Sequence, residues 1–479
     1  MSPEQVHTSS NKWMVLVTVA FGTFMATLDS SIVNIALPTI RAKLETGDNI
    51  EWIVLSYLLV TTSTLLIMGR LSDMLGRKKI YLLGFAVFTL GSLFCGLSWN
   101  LISLVGFRIV QGLGAAMIFA NGPAIVSDVF PPDKRGQALG WIGTAVAAGS
   151  STGPVVGGIL LQNFGWESIF YVNVPVGLIA IWRAAVTLPP SIPSVDRRFD
   201  LPGALFFLFG VTTLLMGVDF GPSPAYGWTH PLVLSLIITG LVFLTAFIWW
   251  ERRAPSPMLQ LSLFRIRSVS AALAAAVSGF IASGANLYVL PFFLQLILHF
   301  DPQHAGFIML AGPLTLSVAA PVGGYLSDKI STRYISTFGL LITATGYVML
   351  SFLNADWQWH DVVWRTALVS LGFGFFQSPN SSSALNAAPL PQRGIASSLI
   401  AFMRNLGLVF GISVGATVWY SVRNLFAEDN GVDVFSTDAQ VSGMQMVYRV
   451  CATLVLAGAV ISFLRGKPTS VSSPVAKNV

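Results

Sequence analysis

The sequence predicts an all-α polytopic membrane protein, and three observations lead there. Of 479 residues, 54% are apolar and only 10% are charged, against about 25% charged in an ordinary soluble domain. Mean hydropathy is +0.71. The apolar residues also gather into unbroken runs near the ~20 residues that a helix needs to cross ~30 Å of hydrocarbon. Barrel strands alternate in and out, and would not be so continuously apolar.

Fourteen such runs are expected as transmembrane helices, at 13–38, 51–69, 79–98, 101–127, 137–162, 166–187, 202–219, 231–250, 269–298, 304–326, 334–353, 362–387, 395–421 and 444–464. The first, from Trp13 to Leu37, is too long for the core of a cleavable signal, and no small-residue cleavage site follows it. It reads as a membrane helix. Lys and Arg in the flanking segments set the orientation. An N-terminus on the cytoplasmic side puts most basic residues inside, among them Arg77, Lys78, Lys79, Lys134, Arg135, Arg252, Arg253, Arg265 and Arg267. Arg41, Lys43, Arg365 and Arg423 fall outside, and the acidic segment 424–443 reads as an external loop. An even number of spans returns the C-terminus to the cytoplasm. The expected location is a cell membrane, crossed many times, with both termini cytoplasmic.

The chain repeats itself. Gly69-Arg70-Leu71-Ser72-Asp73 recurs as Gly324-Tyr325-Leu326-Ser327-Asp328, Arg135-Gly136 as Arg393-Gly394, and Gly149, Gly153 and Gly157 as Gly407, Gly411 and Gly415, in nearly one register. Residues 1–187 and 268–464 are therefore expected as two six-helix halves. Residues 188–267 are expected as a Pro- and Arg-bearing linker followed by two inserted helices, and 465–479 as a cytoplasmic tail. Repeats of this kind place a binding site between the halves near the midplane.

Several chemistries are excluded by what the chain lacks. Cys95 and Cys451 are the only cysteines, each within an apolar run, so neither a disulfide framework nor a CxxC site is formed. None of the five histidines has a partner at metal-ligand spacing, and no phosphate-binding loop occurs. No metal and no cofactor are expected. The formal charge of +6 fits basic loops beside anionic lipid rather than a nucleic-acid partner. An enzyme would need a nucleophile–base set and a channel a ring of filter residues; neither is present.

The remaining motifs carry function. The turn after the second run reads Gly69-x-Leu71-x-Asp73-x-x-Gly76-Arg77-Lys78. Its glycines permit a tight turn, and its acid and base can make a charge-assisted pair. Here the chain resembles the major facilitator superfamily, whose signature is G-x-L-x-D-x-x-G-R-[KR]. In the fourth run, Arg108-x-x-Gln111-Gly112-x-Gly114 fits that family's R-x-x-Q-G-x-G. In the fifth, Gly149-x-x-x-Gly153-Pro154-x-x-Gly157-Gly158 fits the pattern that marks exporters within it. Small residues let helices approach closely, and Pro154 removes a backbone bond.

The first run carries Leu28-Asp29-x-Ser31-x-x-Asn34-x-Ala36-Leu37-Pro38. It resembles the L-D-x-T-x-x-N-x-A-L-P signature of the fourteen-span drug:proton antiporter branch, with serine for threonine. In the sixth, Trp166, Phe170, Asn173, Pro175 and Gly177 match W-R-W-x-F-x-x-N-x-P-x-G, but Glu167 and Ser168 replace Arg-Trp.

The resemblance covers nearly the whole chain. It implies the major facilitator fold and a proton-coupled antiporter that exports small lipophilic compounds. The competing expectation is a transporter of one metabolite on the same fold, uptake included. Asp29 is the only carboxylate well inside a run, and Arg108, Arg404 and Arg449 lie inside too. Intramembrane charges are costly and mark pathways or partners. At about 1.5 Å per residue, Asp29 and Arg108 sit at similar depth, roughly 10–14 Å below the outer surface. They are the expected proton-coupling pair. Asn34, Tyr57, Gln111, Asn286, Tyr288 and Arg404 are the expected cavity residues. A gating cluster is expected at Gly69, Asp73, Gly76, Arg77 and Asp128, with a weaker counterpart at Asp328, where Thr332 stands in place of the motif arginine. The expected partners are a small-molecule substrate, protons and the lipid bilayer, with the protein monomeric.

Overall fold

The computed structural model describes residues 12–44, 50–130, 135–190, 200–221, 226–254, 261–389 and 393–465, with the backbone alone at some helical positions, Asp73, Asp219, Asp328, Arg135 and Arg393 among them. Sixteen α-helices are described. They are α1 (Lys12–Leu44), α2 (Trp52–Leu75), α3 (Arg77–Gly96), α4 (Leu101–Val129), α5 (Arg135–Phe164), α6 (Ser168–Tyr171), α7 (Asn173–Thr187), α8 (Leu201–Phe220), α9 (Pro231–Glu251), α10 (Arg267–Phe292), α11 (Pro302–Met309), α12 (Ala311–Lys329), α13 (Thr332–Leu350), α14 (Trp359–Ala387), α15 (Arg393–Asn430) and α16 (Thr437–Leu464). Every expected run coincides with helix. Among the described residues, eleven helical stretches are long and apolar enough to cross a membrane. α2, α13 and α14 are not among them; in α2 only Trp52–Leu65 is counted, as a shorter apolar helix.

Two expected runs are broken, each by a proline that cannot donate to the carbonyl four residues back. Pro175 withholds a bond from Tyr171, and the run 166–187 divides at Val172 into α6 and α7. Pro313 withholds one from Met309, and the run 304–326 divides at Leu310 into α11 and α12. Other runs are longer than expected: α1 and α2 continue past 38 and 69 to Leu44 and Leu75. α15 reaches Asn430 and α16 starts at Thr437, so helix occupies both ends of the expected external loop 424–443, and Arg423 lies within α15. Its guanidinium is buried against Asn424 Oδ1 (3.1 Å) and the Tyr420 ring (4.9 Å).

α1 starts and α16 ends at what we term the near end of the bundle. Trp13 stacks edge-on against Phe130 at the end of α4, and Arg267 at the start of α10 donates to the Leu464 carbonyl. Gly76 turns the chain there between α2 and α3 at φ 101°, a conformation open to glycine. At the other, distal end, Asn100 and Ser103 cap α4 reciprocally.

α1 packs against α5, α4 and α7, and α3 against α4. α10 packs against α15, α16 and α14, and α13 against α14. α8 and α9 form a pair touching α2 and α15. The two glycine series do the same work. A Cβ at Gly149 would lie 2.8 Å from the Phe24 carbonyl of α1, and one at Gly153 would collide with Ser31 Oγ. On α15, a Cβ at Gly411 would strike the Ile281 carbonyl of α10, and one at Gly415 would lie 3.0 Å from Ala285 Cα.

Candidate functional site

Asp29 and Arg108 meet in the core. Arg108 Nη1 donates to Asp29 Oδ2 at 2.7 Å, and both side chains are 0% exposed. The carboxylate is fully engaged. Its Oδ1 accepts from Gln111 Nε2 at 2.8 Å and from Asn173 Nδ2 at 2.6 Å. The guanidinium is held as closely: Nη1 also reaches Gln111 Oε1 at 2.7 Å, and Nε donates to the Ile53 carbonyl at 3.0 Å. Its carbon lies 4.2 Å from the Tyr57 ring centroid, near enough for cation–π attraction. Among the described residues, Nη2 has no hydrogen-bond partner.

Helix packing brings these groups together. A Cβ at Gly112 would lie 2.7 Å from the Tyr57 carbonyl, which fixes α4 against α2. One at Gly91 would lie 2.8 Å from the Gln111 amide nitrogen, which fixes α3 against α4. With α3 this close, Ser92 accepts from Asn173 Nδ2 at 3.0 Å and donates to the Phe170 carbonyl at 2.9 Å. Cys95 Sγ stands 3.7 Å from Gln111 Oε1. A buried network of this kind is strong when every member is satisfied and costly when one is lost.

The site therefore gathers Asp29, Arg108, Gln111 and Tyr57 from the expected set and adds Asn173 and Ser92. Asn173 could have been found: it is the asparagine of the sixth-run motif. Ser92 carried no signal beyond a hydroxyl in an apolar run. Asn34 does not join, because its Nδ2 turns back to the Ser30 carbonyl on its own helix (2.8 Å). Asn286 accepts from Tyr448 at 3.1 Å, and Arg404 is half-buried beside Asn405 (3.4 Å).

Tyr288 lies instead at the distal end. Its hydroxyl is paired with that of Tyr420 and donates to the buried Glu51 at 3.4 Å, so α10 and α15 are tied to the start of α2. Gln295 donates to the Ile35 carbonyl at 2.8 Å. Gly158 packs against Pro302, and Gly306 against the Pro154 carbonyl, so the motif in α5 contacts α11 as well as α1. Helices α1, α2 and α5 thus meet α10, α11 and α15 across a closed distal end.

At the near end Arg77 Nη1 pairs with Asp128 Oδ2 at 2.6 Å, with side chains 27% and 61% exposed, and reaches the Ala124 carbonyl at 3.3 Å. Gly69 faces Ala120 at ordinary contact distance. The side chains of Asp73 and Asp328 lie outside the described residues. Lys78 donates to the carbonyls of Ala185 and Leu188 (2.8 and 2.6 Å), closing the end of α7.

Comparison with known proteins agrees with this architecture. The Major Facilitator Superfamily profile matches residues 19–412. Riboflavin transporter RibZ of Clostridioides difficile is 35% identical over 96% of this chain and 99% of its own length. Multidrug resistance protein Stp of Mycobacterium tuberculosis is 34% identical over 85% of this chain and 75% of its own. In fold, the chain matches an inward-facing, unoccupied bacterial homolog of the human lysosomal transporter Spinster, with a TM-score of 0.68, 16% identity, and coverage of 95% of this chain and 96% of that one. The glycine-clamped helices, the buried polar core and the match along most of the chain lead to one assignment: this protein belongs to the Major Facilitator Superfamily and is a membrane transporter rather than an enzyme.

Proposed function

We propose that this protein exports small lipophilic compounds in exchange for protons by alternating access. In this reading, it spans the membrane fourteen times as two six-helix halves with α8 and α9 inserted, and both termini are cytoplasmic. The observation that carries the proposal is the Asp29–Arg108 pair, charged yet fully buried. Burial disfavours an ionised carboxylate, and a guanidinium or hydrogen-bond donors favour it. If the donors from α4 and α7 shift as the halves rock, the carboxyl takes up a proton in one state and releases it in the other. The distal end, closed by Tyr288, Tyr420 and Glu51, is then the outer gate. Arg77 and Asp128, with Asp73, belong to the inner latch, and Asp328 to its weaker counterpart. Relatives named for multidrug resistance and the small-residue motif of α5 favour efflux of lipophilic compounds.

A second reading, transport of one specific metabolite, is favoured by one observation: a relative matched along almost its whole length is named a riboflavin transporter. Purified protein in liposomes with an imposed pH gradient separates the two. A lipophilic cationic dye driven uphill by the gradient, with riboflavin unmoved, supports the exporter. Riboflavin moved and the dye ignored overturns it. Asp29→Asn should abolish gradient-driven transport while leaving the protein folded. Uphill transport at the normal rate in that variant removes Asp29 from the coupling.

A further inference from the structure

A cleft of ≈340 Å³ opens between α8, α9, the short 3-10 turn Leu261–Arg265 and α15. Phe207, Phe247, Ile248, Phe264, Phe402 and Leu406 are among its walls, and every lining side chain among the described residues is apolar. Ligand pockets span about 300–1,000 Å³ and carry a few placed polar groups that fix orientation. This one has the small end of that volume and, among the described residues, no polar side chain in its lining. Its shape and chemistry suit a flexible hydrocarbon whose polar part lies elsewhere.

The rim supplies a place for that polar part. Arg252 and Arg253 follow α9 one turn beyond the lining Ile248, and Arg265 directly follows the lining Phe264; all three are exposed. Arg253 lies 4.1 Å from the Trp249 ring centroid, and tryptophan settles at the headgroup level of a bilayer. Of the carboxylates nearby, Asp200 accepts from Gly203 N (3.0 Å) and the Trp250 indole (2.6 Å), and Glu251 is buried. Exposed positive charge thus borders an apolar slot at the near end of the bundle.

We propose that this cleft binds one anionic phospholipid, with an acyl chain between α9 and α15 and its phosphate against Arg252, Arg253 and Arg265. The site requires only that the protein sits in a bilayer and is independent of substrate and coupling ion. α8 touches α2 directly, and the lipid ties the α8–α9 pair to α15. Transport should then depend on anionic lipid.

The test counts lipid retained by the full-length protein in detergent, by native mass spectrometry, with phosphatidylglycerol or phosphatidylcholine of identical chains. Phosphatidylglycerol should be preferred. Arg252→Gln/Arg265→Gln should weaken its binding about thirtyfold, roughly fivefold for each arginine beside anionic lipid, and leave phosphatidylcholine unchanged. Leu406→Trp, which fills the slot, should expel both lipids; the surface double variant remains informative even where Leu406→Trp fails to fold. Equal retention of the two lipids by the wild-type protein overturns the proposal. So does displacement of phosphatidylglycerol by inorganic phosphate, which means an anion site without an acyl chain. Loss of lipophilic-dye transport in Leu406→Trp with lipid retention intact also overturns it, because the cleft is then a substrate path.

Discussion

Breaking the Asp29–Arg108 pair from one side at a time gives the most direct measure of what the core network is worth. In Asp29→Asn, one acceptor oxygen replaces two. The carboxylate receives three donors, from Arg108 (2.7 Å), Gln111 (2.8 Å) and Asn173 (2.6 Å). An amide turned to serve Arg108 points its NH₂ at the other two, and turned the other way it leaves the guanidinium facing a donor. Removing one partner of a buried ion pair costs about 3–5 kcal/mol. The same cost is expected for Arg108→Gln, which leaves the carboxylate with two neutral amides. In the double variant no charge is left stranded, and the amides can re-pair. The coupling energy should therefore be about 2–3 kcal/mol, the upper part of the range for residues in one network. Reversible unfolding of the four proteins in mixed micelles measures it. Single variants each within 1 kcal/mol of wild type, with additive effects (on the order of the usual scatter for independent sites), would refute the claim of a dry, mutually dependent pair.

Other outcomes follow from neighbouring geometry. Gly153→Ala should destabilise by about 1–3 kcal/mol through overpacking against Ser31, whereas Gly143→Ala, with nothing within 4 Å, should gain about 0.5–1 kcal/mol from helix propensity; thermal unfolding compares them. Asn173→Ala should slow proton-driven transport by roughly tenfold or more, because it strips a hydrogen bond to a charged group worth about 1.5–3 kcal/mol; a normal rate would show that Asn173 only packs. Asp301 caps α11 through the His304 amide (3.0 Å), and that bond holds its carboxyl below the usual aspartate range. Its stabilising effect is thus present at neutral pH and fades as pH falls through the lowered folded value. Asp301→Ala should cost about 0.5–2 kcal/mol at pH 7 and progressively less in acid, as read from melting curves against pH. Arg77→Gln, which removes the 2.6 Å pair with Asp128, should alter the balance of inward and outward accessibility without unfolding the protein; unchanged cysteine labelling at both ends would discount the latch.

The sequence alone determined the helices. In lipid every backbone group must be bonded within its own segment, so an apolar run of sufficient length specifies a helix whatever surrounds it. It also marked Asp29, Arg108 and Gln111, because polar groups in such runs are conspicuous for their cost. The two prolines that break the sixth and tenth runs were visible as residues, yet read only as apolar sequence, since a run is counted by hydropathy and not by backbone donors. What the tertiary structure decided was which polar groups meet. Asn34 and Asn173 look alike in sequence, each an asparagine in an apolar run. Only Asn173 reaches Asp29, whereas Asn34 bonds its own helix. The choice rests on close backbone approaches at Gly91 and Gly112, where an added Cβ would lie only 2.8 and 2.7 Å from the neighbouring helix. A one-dimensional pattern gives each residue's depth and face, but hydrogen bonds fall off within a fraction of an ångström, and only packed backbones fix distances that finely.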